Sequence, residues 1–139
     1  VLAAPIPTAA AEIKAAQHLA AVPLTVSTAH GARHYRVEVA RTAEQQEIGL
    51  MFRKSMALNH GMIFPRRSPD IASFWMENTL IPLDLIFIRA DGTISSITAN
   101  APPLSRDIIA SSEPIAAVLE LAGGEAKHSG IRPGDRVHW

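Results

Sequence analysis

Leu24-Thr25-Val26-Ser27-Thr28 and Tyr35-Arg36-Val37-Glu38-Val39-Ala40 alternate apolar and polar side chains, the period of a strand with one buried and one wet face. His30-Gly31-Ala32 between them supplies a turn, so the two segments predict a β-hairpin. The alternation then breaks. Thr42-Ala43-Glu44-Gln45 has capping-box spacing, with the threonine hydroxyl accepting an amide N–H while the glutamine reaches back to the cap. It predicts a short helix from Ala43 to about Leu50, with Gly49 releasing the chain. Gly61–Phe64 reads as a short strand stopped by Pro65, and Ser73–Met76 as another. Leu83–Ile88 predicts a central strand, turned back at Ala90-Asp91-Gly92 into Thr93–Ala99. Ala101–Pro114, with three prolines, predicts a long loop, a length that compact domains keep mostly for sites or mobile segments. Ile115–Leu121 is the next buried strand, Gly123–Ser129 a short helix ended at Gly130, and Arg136–Trp139 a last strand after the turn Pro133-Gly134-Asp135. Leu83–Ile88 and Ile115–Leu121 are the longest apolar tracts, and each is interrupted by an acid. No run approaches the ~20 apolar residues of a membrane-spanning helix.

Short strands with frequent turns and few helices predict a mainly β domain over residues 23–139, a sandwich or distorted barrel with one or two short helices. Residues 1–22 have a different texture. Ala9–Leu19 is rich in helix formers and Thr8 can cap it, yet its apolar face is weak, so an Ala-rich arm, helical or disordered, is expected. At 139 residues the chain fits one domain with one proper core.

Thirteen basic and thirteen acidic residues leave a formal net charge of zero, with no basic run longer than the pairs Arg53-Lys54 and Arg66-Arg67. A nucleic-acid partner is not expected, because such proteins carry a basic stripe or patch. The chain has no cysteine, which excludes disulfides, thiolate chemistry and a Cys-built zinc site. Met51, Met56, Met62 and Met76 offer thioethers to a soft metal but lack the tight spacing of a copper motif, and core packing is the simpler reading. His30 and His34 are spaced i, i+4, but they straddle a turn, and Gly31 stands where a zinc-binding helix carries glutamate. Neither a metal nor a cofactor is expected. There is no Gly-x-Ser-x-Gly elbow and no phosphate loop.

Chemistry is densest in Ser73–Asp84, which holds two aromatics, a methionine, a proline and several amide, hydroxyl and acid groups in a chain that is 5% aromatic. Trp75 offers a flat apolar face with an N–H donor, while Asn78, Thr79 and Asp84 offer directional hydrogen bonds. That mixture suits a polar ligand with apolar faces, such as a sugar or a peptide. In the competing structural reading Trp75 is core, Asn78 and Thr79 form a turn, and Pro82 sets the start of the strand. Asp84 decides between the two, because an acid inside an apolar strand needs partners or shifts its pKa upward. Glu47, Glu77 and Asp84 are the carboxylates from which a hydrolytic pair can be drawn, with Ser105, Ser111 and Ser112 in the long loop as candidate hydroxyls.

The motifs Glu47-Ile48-Gly49-Leu50-Met51 followed by Arg53, Gly61-Met62-Ile63-Phe64, Phe74-Trp75-Met76 with Asn78-Thr79, Ile81-Pro82-Leu83-Asp84, Val118–Gly123 and Gly134-Asp135-x-Val137 occur in that order. Through them the chain resembles the domain-of-unknown-function family 192 from about Val37 to Val137. The resemblance implies a mainly β, jelly-roll-like fold and brings no established activity. Many relatives carry lysine where this chain has Glu77, which makes Glu77 a poor candidate for a shared role. Family members are often exported, and the Ala-rich, Pro-punctuated start agrees, so a periplasmic or secreted protein is expected. The expected function is a non-enzymatic binding module for a carbohydrate, cell-envelope fragment or short peptide. Its ligand-binding candidates are Trp75, Asn78, Thr79, Asp84, Met51 and Arg53. A hydrolase using Asp84 and a protein-interaction domain without a small ligand are the alternatives, and the oligomeric state is not set by the sequence.

Overall fold

The computed structural model describes residues 15–139, and in it the alternating segments pair as strands. β1 (Ala21–Thr28) and β2 (Gly31–Val39) form the expected antiparallel hairpin. In α1 (Ala43–Ile48) the capping box is complete: Gln45 N donates to Thr42 Oγ1 at 3.1 Å and Thr42 N to Gln45 Oε1 at 3.2 Å. Then follow β3 (His60–Asp70), β4 (Ser73–Phe74), β5 (Leu83–Ile88), β6 (Ile94–Ala101) and β7 (Ile109–Ala110). β8 (Ile115–Ala122), α2 (Glu125–Ser129) and β9 (Arg136–His138) complete the chain. α2 ends where expected, at Gly130 with φ 70°, a left-handed residue that glycine supplies without steric cost.

One mixed sheet has the strand order β6-β5-β8-β3-β2-β1-β9, while β4 and β7 pair in a separate two-stranded sheet. Within the large sheet only β2 and β3 run parallel. The sheet curls until its edges meet at one end. There Val137 N donates to Gly92 O and Ile94 N to Asp135 O, both at 2.8 Å, around a bridge between Thr93 and Arg136. Elsewhere the edges stay apart, so the mainly β fold is an open, curled sheet with two short helices rather than a closed barrel.

Two expectations change. Pro65 does not stop β3, which runs on to Asp70. β2 leaves β3 at Ile63, so Pro65 faces a partner only on the β8 side, where it pairs with Ala117 before a bulge. Proline is tolerated where one side of a strand has no ladder to break. The Ser73–Met76 strand shrinks to the two residues of β4, and β7 interrupts the 101–114 loop to pair with it. The Ala-rich arm expected over residues 1–22, helical or disordered, lies mostly outside the described residues; Ala15–Ala20 has no regular structure, and Ala21 already belongs to β1.

Each face of the sheet carries a core. Val26, Val37, Ile63, Ile86, Leu119 and Val137 pack on one face with Ala126 of α2 and Ile131. Met62, Phe64, Leu85, Phe87 and Val118 pack on the other with Leu50, Phe74 and Met76, and Phe74 meets Phe64 and Phe87 edge-on with ring centroids 5.3 and 6.5 Å apart. Successive side chains of a strand point to opposite faces. Asp84 therefore shares the Ile86 face, and Glu120 shares the Val118 face.

Candidate functional site

Asp84 is 0% exposed. Its Oδ1 accepts from Asn100 N at 2.9 Å and Gly124 N at 3.1 Å, and its Oδ2 accepts from Ala126 N at 2.9 Å. Three backbone donors satisfy the buried carboxylate, and two of them belong to the start of α2. Asp84 is thus bound by the fold's own backbone rather than turned towards a cleft. It is closed off from solvent, and the fold itself takes up its lone pairs.

The other candidates lie on the opposite face, where two loops exchange hydrogen bonds. Phe52 N donates to Asn78 O at 2.8 Å, and both residues are left-handed, with φ 64° and 56°. Asn78 Nδ2 reaches Met51 Sδ at 3.9 Å. Thr79 N donates to Met76 O at 3.1 Å, and Thr79 Oγ1 donates to Glu77 O at 3.2 Å. Asn78 and Thr79 thus build the turn that the structural reading gave them, and this turn holds Met51 beside the Trp75 segment. Glu77 lies outside the cluster and pairs with Arg106 at 2.9 Å.

Beneath these loops is a narrow cleft of about 20 Å³, lined by Gln46–Met51, Phe64, Phe74, Trp75, Thr79 and Glu120. Glu120 sits in β8 between Met62 of β3 and Leu85 of β5 and is 5% exposed. Among the described residues no group donates a hydrogen bond to its carboxyl, and burial pushes it up to about 7. The sequence reading overlooked Glu120 although the signal was present: an acid inside the apolar run Ile115–Leu121, the same signal that singled out Asp84.

Arg53 opens on a different space. A groove of about 600 Å³ is lined by Ala16, His18, Leu19, Ala21, Glu38, Phe52–Ala57 and His60. The Arg53 side chain is 10% exposed; its Nη2 donates to Glu38 Oε1 at 2.7 Å and to Gln17 O at 2.6 Å. Its Nε is buried without an acceptor among the described residues. Burial works against the Glu38 charge, but hydrogen bonds from Arg53 and from Leu19 N outweigh it and leave the carboxyl below its ordinary range. The structure thus gathers Met51, Trp75 and Thr79 around the cleft with Asn78 on its supporting turn, puts Arg53 in the adjoining groove, and sends Asp84 to the far face. Among the described residues no group of three or more His, Asp or Glu side chains is placed to hold a metal ion, and no helix is long and apolar enough to cross a membrane.

Solved structures with this fold include a protein of unknown function from Novosphingobium aromaticivorans, 45% identical over 94% of both chains with a TM-score of 0.86. A candidate transcription regulator from Sinorhizobium meliloti is 42% identical, with 88% of this chain and 97% of that one covered and a TM-score of 0.83. No curated protein matches the chain. The profile of an uncharacterised ACR family matches residues 25–139, and the chain belongs to that family, the domain-of-unknown-function family 192.

Proposed function

We propose that the protein is a binding module whose ligand lies in the groove beside Arg53 and presents an acidic group next to an apolar surface. The observation that carries this reading is Arg53 itself: nine-tenths buried, one N–H without an acceptor among the described residues, at the wall of a groove of about 600 Å³. Small-molecule sites span roughly 300–1,000 Å³ and combine apolar walls with a few fixed polar groups. Leu19, Phe52 and Met56 supply the apolar wall, and His18, Lys54 and His60 add donors. An acidic glycan, an acidic cell-envelope fragment or a peptide carboxylate has the complementary chemistry. The expected export, which rests on the family resemblance, would bring the protein to ligands of this kind. The hydrolase alternative draws less support, because Asp84 is enclosed. A role as a transcription regulator, the description carried by the Sinorhizobium neighbour, finds little support where it requires reading DNA, because the formal charge is zero and the described helices have six and five residues, too short for groove-reading helices.

Calorimetric titration with uronic-acid oligosaccharides, muramic-acid fragments and short peptides with free carboxylates tests the reading. The comparison is a variant carrying Arg53→Gln with Glu38→Gln, which replaces the buried ion pair by neutral amides and leaves no carboxylate unpaired. Saturable binding of at least one ligand, weakened about tenfold or more in the variant, is expected, because a charge-assisted hydrogen bond contributes about 1.5–3 kcal/mol. Absence of binding across the panel, or equal binding by the variant, would remove the proposal.

A further inference from the structure

We infer that the groove between the start of α1 and the second half of β3 is a further site, separate from the Arg53 groove, and that it binds the phosphate of a phosphate monoester through Arg41, Arg66 and Arg67. Two segments bring these guanidinium groups together. Arg41 stands two residues after the end of β2, and Pro65-Arg66-Arg67 lies in β3 just past the point where β2 leaves its side. Gln46 of α1 fastens the segments to each other: its Nε2 donates to Ala40 O at 3.0 Å and to Pro65 O at 2.8 Å. Each of these carbonyls directly precedes an arginine. Arg41, Arg66 and Arg67 then line a groove of about 750 Å³. An adjoining space of about 390 Å³ adds Ser68 and Asp70. Neither shares a residue with the Arg53 groove.

The positive charge here is unmatched. Among the described residues none of the three arginines pairs with a carboxylate. Arg66 Nε is buried without an acceptor, and Arg66 Nη2 reaches Ile71 O only at 3.5 Å, the far limit of a hydrogen bond. A buried donor in that state has lost its water and gained no partner. Asp70 does not answer it, because its Oδ1 accepts from Ile71 N at 2.7 Å. Thr42 also lines the groove, and its Oγ1 accepts from Gln45 N, which leaves its own hydrogen to donate. The shape of the donors selects the anion. A guanidinium is a flat fork that takes two oxygens at once. A carboxylate has two oxygens in one plane and is saturated by one such fork. A phosphate monoester has three free oxygens and close to two charges, which suits forks carried by two segments. The groove lies within the roughly 300–1,000 Å³ of small-ligand sites, leaving room for the organic part of the ester. A soluble ester and the phosphate of a lipid headgroup share this chemistry.

Calorimetric titration with phenyl phosphate, glycerol phosphate and inorganic phosphate, beside glycerol and acetate at matched ionic strength, tests the site. The phosphates are expected to bind saturably, and glycerol and acetate at least tenfold more weakly. Arg41→Gln with Arg67→Gln alters two exposed side chains, so the melting temperature should hold while phosphate affinity falls about tenfold or more. Adding Arg66→Gln should abolish binding. Phosphate binding should persist in the Arg53→Gln, Glu38→Gln variant; its loss there would move the ligand to the Arg53 groove and overturn the inference. Co-sedimentation with phosphatidylcholine vesicles containing phosphatidic acid separates the two sources. Retention that glycerol phosphate competes away assigns a headgroup, and binding of soluble esters without retention assigns a free ester. No saturable binding of any phosphate, equal affinity for acetate, or unchanged affinity in Arg41→Gln with Arg67→Gln would overturn the inference.

Discussion

At the scale of single residues, the chain encloses two acids in apolar strands and treats them in opposite ways. Asp84 receives three backbone N–H groups, whereas Glu120 receives none from the described residues. The consequence for Glu120 has a definite sign. Burial raises its carboxyl from 4.5 to about 7, so between those values the folded protein holds a proton that the unfolded chain has released. Stability from this group is then greatest below about 4.5, falls as pH rises towards about 7, and levels off above it. With each pKa unit equivalent to about 1.4 kcal/mol, the fall is of order 3 kcal/mol. Melting temperatures measured across this window should decline for the native chain and stay nearly level for Glu120→Gln; parallel curves would contradict the assignment. Glu38, held low by Arg53 and Leu19 N, acts in the opposite sense and loses its contribution only in acid. Both acids were visible in the sequence as interruptions of apolar runs, but their fates were not. The donors that settle Asp84 lie 16, 40 and 42 residues away, and no local spacing announces groups so distant.

At the scale of elements, legibility follows the same division between local and distant causes. The α1 start was readable because both halves of its capping box lie within four residues. The course of β3 past Pro65 was not, because it depends on β2 ending its pairing at Ile63. Trp75 and Thr79 were legible as a dense segment, yet their meeting with Met51 required an exchange of hydrogen bonds between loops 26 residues apart in the case of Phe52 and Asn78. α2 depends on a distant partner as well. At five residues it is far below the roughly 12–15 at which an isolated helix becomes even marginally stable. Its first turn is fastened by Asp84 of β5, which also holds the Asn100 amide of β6. Asp84→Asn keeps the shape but turns an NH₂ towards at least one backbone N–H, so about 3 kcal/mol should be lost. The urea midpoint should drop, with fast amide exchange appearing at Ala126. An unchanged midpoint would show that the carboxylate is dispensable to the fold.

At the scale of the molecule, the two ends of the curled sheet differ in kind. At one end the edges are joined through Gly92, Thr93, Ile94, Asp135, Arg136 and Val137. The candidate sites gather away from it: Glu120 pairs with Met62 and Leu85, and Glu38 with Ala21, towards the end where the edges remain apart. The bonds at the joined end tie both edges of the seven-stranded sheet, whereas β4 and β7 rest on a two-residue pairing outside it. Amides released only by global unfolding exchange most slowly, and those released by local opening exchange earlier. The Ile94 and Val137 amides should therefore exchange with the full denaturant dependence of global unfolding. The β4–β7 amides and the Phe52 amide, which ties the two site loops together, should exchange with a shallower one. Native-state hydrogen exchange measures the difference directly: Ile94 and Val137 exchanging as readily as the β4–β7 pair would show that the joined edges do not govern the sheet.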